Sequence, residues 1–203
     1  MDKARLQARA LLLSYITVAY NTVEGLVSIA AGILAGSAAL LGFGVDSFFE
    51  SLSGAVMVWR FKGKNAISEE AEERTEKLAV RLVGYTFVVL GAYVLYESVS
   101  KLATREAPER SLFGVGIAIA SIIVMPALYL LKLKTGEAIA SQSLVADSKE
   151  TLACCLMSVT LLVGLGLNYL LGWWWADPLA GLVIVGYLFT EAHEALVGKR
   201  QDE

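Results

Sequence analysis

Apolar residues fall in six long blocks, and most charged residues gather between them. The blocks run from about Ala10 to Leu34, Ala38 to Phe61, Leu78 to Leu102, Leu112 to Leu131, Ala138 to Leu171 and Pro178 to Val197. A bilayer core needs ~20 apolar residues per helix, and each block is long enough. The fifth exceeds that need and must tilt or project into water. The pattern predicts an all-α fold, a six-transmembrane-helix bundle forming a single transmembrane domain over residues 1–203. After Val197 only six residues remain, so no carboxy-terminal soluble domain is expected. Composition agrees: 56% of residues are hydrophobic and only three are proline, far too apolar for an ordinary soluble domain. The first block is too long for a cleavable signal peptide and is followed by further spans.

Lysine and arginine predict the orientation. One side collects Lys3, Arg5 and Arg9, then Arg60, Lys62, Lys64, Arg74 and Lys77, then Lys132 and Lys134, and finally Lys199 and Arg200. The other side has Lys101, Arg105 and Arg110, partly offset by Glu106 and Glu109. Both termini are therefore expected in the cytoplasm, and Trp173, Trp174 and Trp175 suit the outer interface. The acidic stretch from Glu69 to Glu76 reads as a solvated loop leading into the third helix, or as acidic chemistry at that helix's start. The net charge of −3 decides little, and no basic stripe points to nucleic acid.

Charge inside an apolar block is more informative. Asp46 and Glu50 lie on the second block, and Glu150 and Cys154 on the fifth. Each pair is spaced four apart, hence on one face of a helix. Asp46 is ~12 Å from the outer end of its helix, with Glu50 one turn deeper. Ionisable groups survive in a membrane mainly where they face protein or water, so they mark an ion path by default. Carboxylate oxygen and thiolate sulfur are ordinary zinc ligands, and four of them can complete a tetrahedron. The thiolate favours zinc or cadmium over magnesium or calcium, while the lack of histidine leaves manganese, iron(II) and cobalt open.

Each of these residues also has a plainer reading. An acid within a span can simply pair with a buried base, for which Lys149 and Arg81 are the bases within the predicted helices. Lys149 is adjacent to Glu150 and points elsewhere on the helix. A lone buried cysteine behaves as a small hydrophobe, and only its spacing from Glu150 promotes Cys154; Cys155 reads as packing. Asn21 and Glu24, three apart in the first block, suit a second shell, a proton acceptor or an interhelical hydrogen bond. Asp147, one turn from Glu150, joins them as a secondary candidate. His193 reads as interfacial and Asp177 as a cap for the sixth helix. Gly32, Gly36, Gly42, Gly44, Ser51, Ser53, Gly54, Gly164 and Gly166 permit close helix contact.

Four segments carry a family resemblance. The run from Gly36 through Leu40 to Phe43-Gly44-Val45-Asp46-Ser47-Phe48-Phe49-Glu50 resembles the second helix of the cation diffusion facilitator, or cation efflux, family. The segment from Val145 to Cys154 is similar to that family's fifth helix, and Gly172-Trp-Trp-Trp-Ala-Asp177-Pro178 to its turn into the last helix. Arg74-Thr-Glu76-Lys-Leu78 is similar to the opening of the third helix, without the usual histidine-glycine step. The likeness is to a small branch similar to the vesicular zinc transporters.

The resemblance implies a homodimeric exporter that exchanges a cytoplasmic divalent cation for protons. Its ligands fall on Asp46, Glu50, Glu150 and Cys154. The chain departs from the family in an Asp/Glu pair on the second helix, in Glu150 and Cys154 on the fifth, and in the missing carboxy-terminal domain. The expectation is a multi-pass membrane protein, in the inner membrane if bacterial, that transports divalent metal by alternating access, zinc foremost. Its partners are metal ion, protons, the lipid bilayer and a second copy held within the membrane, with no prosthetic group. A metal-binding regulatory protein without transport, or a metal channel, is the alternative. No nucleophile–base–orienter set suggests an enzyme.

Overall fold

The computed structural model describes residues 3–35, 38–62, 69–105 and 112–197. They form six helices: α1 (Lys3–Ala35), α2 (Ala38–Lys62), α3 (Glu69–Thr104), α4 (Leu112–Ala138), α5 (Gln142–Leu171) and α6 (Ala176–Val197). No strand occurs among the described residues. Gly36, Lys64, Glu106, Glu109, Arg110, Lys199 and Arg200, named above, lie outside them.

The bundle is inverted relative to a soluble protein. Leu34, Ile123 and Val183 are exposed, while Ser14, Thr17, Asn21, Glu24, Asp46, Glu50, Asp147 and Glu150 are buried. Such an arrangement suits lipid outside and polar contacts between helices inside. Four helices, α1 to α4, are long and apolar enough to cross a membrane. Among the described residues α5 and α6 do not meet that measure; α5 carries Asp147, Lys149 and Glu150 within one turn. Both pack into the bundle nonetheless. The most extensive helix contacts are α1 with α2, α3 with α6 and α4 with α5; α2 and α5 pack on each other and both on α3, which joins the pairs. The chain is thus a multi-pass integral membrane protein.

Close contact between α1 and α2 depends on glycine. A Cβ at Gly44 would come within 2.6 Å of Ile29 and 2.9 Å of the Gly25 carbonyl oxygen. The largest apolar cluster fills the space among α2, α3, α5 and α6, with Met57, Phe87, Leu90, Leu144 and Leu188 fully or almost fully buried. Gly172, at φ 69°, takes the left-handed conformation that ends α5. Beyond it Trp173 and Trp175 stack with ring centroids 5.1 Å apart. Asp177 lies inside the first turn of α6, which begins at Ala176, and so is not at the cap position expected for it.

The acidic stretch before the third apolar block is helix, not loop, because α3 begins at Glu69. Its last member has a defined task. Glu76 accepts a hydrogen bond from Arg60 Nε at 2.6 Å. Its other oxygen accepts from Ser141 Oγ at 2.8 Å, Ser143 N at 2.8 Å and Ser143 Oγ at 3.0 Å. One carboxylate therefore ties α2 and α3 to the start of α5, where free backbone N–H groups favour negative charge.

The α4–α5 boundary also differs from the sequence expectation. The apolar run stops at Leu131, but α4 continues to Ala138. Lys132 therefore sits within the bundle, fully buried, and not in a cytoplasmic loop. The helix continues past Leu131, and Asp147 and Thr151 receive the lysine head.

Two stability outcomes follow. Gly44→Leu lowers the thermal midpoint in detergent, with an overpacking cost of about 1–3 kcal/mol; Gly116→Leu, where a Cβ meets open space, leaves it unchanged. Glu76→Ala removes one charged partner of Arg60 and the acceptor at the start of α5, and costs about 1–3 kcal/mol. A Glu76→Ala midpoint equal to the parent's would show that the four contacts are not holding the helices.

Candidate metal site

The seam between α2 and α5 carries every sequence-predicted ligand. Asp46, Glu50, Glu150 and Cys154 are each 1% exposed. Helical spacing puts Asp46 and Glu50 on one face of α2, and Glu150 and Cys154 on one face of α5. α2 packs on α5, and Asp46 and Cys154 meet across that contact.

Their surroundings differ. The Cys154 thiol lies against Asp46, with Glu50 and Glu24 also in its electrostatic field. Its other side closes an apolar cluster with Leu13, Met125, Leu128 and Cys155, which accounts for Cys155 as packing. Glu150 turns toward α3, where Thr86 Oγ1 donates to its Oε2 at 3.0 Å. Glu50 faces Lys132, Thr151 and Asp147. Among the described residues, no three His, Cys, Asp or Glu side chains converge into a ready-made coordination sphere.

Several carboxylate oxygens accept no hydrogen bond from the protein: Asp46 Oδ2, Glu50 Oε1 and Oε2, and Glu150 Oε1. A buried charged oxygen without a donor is costly. The four orphan oxygens belong to three of the predicted ligands, and all lie on the α2–α5 seam. A bound cation or proton would satisfy them.

The secondary candidates are also buried and divide into two groups. Glu24 accepts from Tyr20 at 3.1 Å and, across helices, from Ser47 at 3.0 Å. Ser47 follows Asp46, so α1 reaches the site through this bond. Neither Asn21 side-chain atom has a protein partner. Asp147 accepts from Ser53 Oγ on α2 at 2.7 Å and pairs with Lys132 on α4 at 2.9 Å. Ser53, read from the sequence as a packing residue, is thus a polar link between α2 and α5.

The bases named from the sequence are placed elsewhere. Arg81 is exposed. Lys149 points to α6, pairing with Glu191 and, at 3.1 Å, with Glu194. The base that does enter the site region is Lys132, which sequence reasoning missed because it directly follows an apolar run and reads as a loop residue. A longer view would have found a signal: no proline or glycine interrupts residues 127–135. Ser53, Thr86 and Thr151 had no comparable signal, since hydroxyls are common along membrane helices. His193 is exposed.

One turn before Asp46 on α2, a pocket is lined by Gly42, Glu97, Lys101, Met157 and Gly181 among others. Glu97 and Lys101, one turn apart on α3, pair at 2.9 Å on its lining. A Cβ at Gly42 would come within 2.8 Å of the Glu97 carboxylate.

Comparison with known proteins agrees with this architecture. The cation efflux transmembrane domain family matches residues 14–199. Transmembrane protein 163 of Xenopus laevis is 24% identical over 184 residues, covering 88% of this chain and 64% of the relative. The cation-efflux pump FieF of Shewanella oneidensis is 25% identical over 189 residues, covering 87% and 63%. An uncharacterized transporter of Methanocaldococcus jannaschii is 25% identical over 173 residues, covering 83% and 61%. The chain thus spans less than two thirds of the length of these relatives. With a family match over nearly its whole length, and a six-helix bundle carrying buried acids on α2 and α5, this chain belongs to the cation efflux transmembrane domain family.

Proposed function

We propose that the protein transports a divalent transition-metal cation, zinc foremost, out of the cytoplasm in exchange for protons by alternating access. The observation that carries this reading is the set of orphan carboxylate oxygens on Asp46, Glu50 and Glu150, buried where two helices meet. The transported cation is the partner those oxygens lack. Cys154, against Asp46, adds the sulfur donor that favours zinc or cadmium.

Exchange follows from ligand chemistry. Metal binds deprotonated ligands, so protons and metal compete for the same lone pairs. On the cytoplasmic side the site takes up the cation. After the bundle rocks, protons displace it to the outside and return through the same residues. A membrane potential contributes ~2.3 kcal/mol per charge per 100 mV. The ligands keep separate partners in this conformation, Thr86 for Glu150 and the Cys154 thiol for Asp46, which suits a site that must release what it binds. The cytoplasmic placement of both termini and a homodimer within the membrane belong to the same proposal.

The test uses proteoliposomes with an interior pH dye, scanning zinc, cadmium, manganese, iron(II), cobalt, magnesium and calcium. A transition-metal-driven proton signal is expected for the parent. Asp46→Ala and Glu50→Ala abolish it while leaving the protein folded. Undiminished flux in Glu50→Ala would overturn the site assignment. Saturable binding without flux would instead identify a binding or regulatory protein, and flux indifferent to a proton gradient a channel.

Selectivity tests the thiol separately. Cys154→Ser weakens zinc and cadmium transport by about tenfold or more and manganese transport less, because the hydroxyl is a harder donor. An equal loss for all three metals would return Cys154 to a packing role.

A further inference from the structure

Lys132 is the most unusual residue of the bundle. Its side chain is fully buried, and so is that of its partner Asp147. An ammonium in such a place costs several kcal/mol unless its surroundings repay it. If the pair served only to join α4 to α5, apolar packing would do so at less cost. The geometry also lacks the form of a tight lock. Lys132 Nζ donates its hydrogen bond to Thr151 Oγ1 at 2.8 Å. Toward Asp147 Oδ2 it approaches to 2.9 Å without forming a directed hydrogen bond. The ammonium is thus held between two residues of α5, and Thr151 is the neighbour of Glu150. Across the seam the Lys132 charge acts on Glu50, which also faces Thr151 and Cys154 but has no hydrogen bond of good geometry at either oxygen.

We propose that Lys132 is a tethered counter-cation that competes electrostatically with the transported dication and so sets how tightly the site holds it. The inference rests on the transport-site reading above and deepens it. In the metal-free state the fixed positive charge compensates the buried acids and keeps α2, α4 and α5 together. When a dication enters beside Glu50, it meets the ammonium's repulsion in a low-dielectric interior. Affinity is thereby held down and release made easier. Asp147 counterbalances the lysine, and its bond to Ser53 holds it at the α2 surface. Lys132 is a positioning and affinity-setting residue, not a ligand.

The sign of the effect separates this role from a structural one. Equilibrium zinc binding is measured on purified full chain in nanodiscs, for the parent, Lys132→Gln, Asp147→Asn and the double variant. Lys132→Gln is expected to bind zinc about tenfold more tightly, with a lower KM and a lower kcat for transport. Asp147→Asn, which leaves the lysine unbalanced, binds about tenfold more weakly. The double variant brings binding back toward the parent value. Weaker or unchanged binding in a folded Lys132→Gln overturns the proposal. If Lys132→Gln does not fold, Asp147→Asn and the double variant decide: a double variant as weak as Asp147→Asn makes Asp147 a ligand or a structural residue and overturns it. A parent that binds no zinc, cadmium or manganese would sink the metal-site reading itself.

Discussion

A carboxylate in the interior of a membrane protein must be given a partner, and the structure is organised around that need at the α2–α5 seam. Asp46, Glu50, Glu150 and Asp147 bring four acids into one low-dielectric region. Some of their oxygens are served by Ser53, Thr86 and the Cys154 thiol, and Lys132 supplies a fixed positive charge. Asp46 Oδ2, both Glu50 oxygens and Glu150 Oε1 are left without donors. Incomplete satisfaction is expensive in a purely structural network. It is the expected condition of a site whose last partner arrives from solution.

The fold supports that seam from several directions. Glycines at positions 25 and 44 let α1 lie against α2, and Ser47 then meets Glu24. Glu76 fixes the start of α5 against α2 and α3 and so sets the register in which Glu150 and Cys154 face Asp46 and Glu50. Lys149 is held away from the acids by Glu191 and Glu194, leaving Lys132 as the cation that faces Glu50. The apolar cluster of α3 and α6 lies beside this polar interior, so one half of the bundle is rich in dry packing and the other in hydrogen bonds.

Much of the architecture was legible in the order of residues. Blocks of ~20 apolar residues can do little in a bilayer except form helices, since every backbone group must be satisfied internally. Six blocks therefore meant six helices. The four-residue spacing of Asp46 with Glu50, and of Glu150 with Cys154, fixed which side chains share a helix face, whatever the tertiary arrangement. What escaped was anything that depends on a second helix. Lys132 looked like a loop residue because its partners, Asp147 and Thr151, lie on another element. Glu76 looked like one more solvated acid, because Ser141 and Ser143 are 65 and 67 residues away along the chain.

The sequence by itself determined the number of helices, their membrane setting and the donor chemistry available on α2 and α5, because these rest on local periodicity and on the cost of charge in lipid. Only the tertiary structure decided which oxygens are satisfied, which base enters the site and how far the ligands stand from closing around a cation. Those properties are set by distances between helices, and hydrogen bonds and charge pairs between elements leave no periodic trace in the chain that makes them.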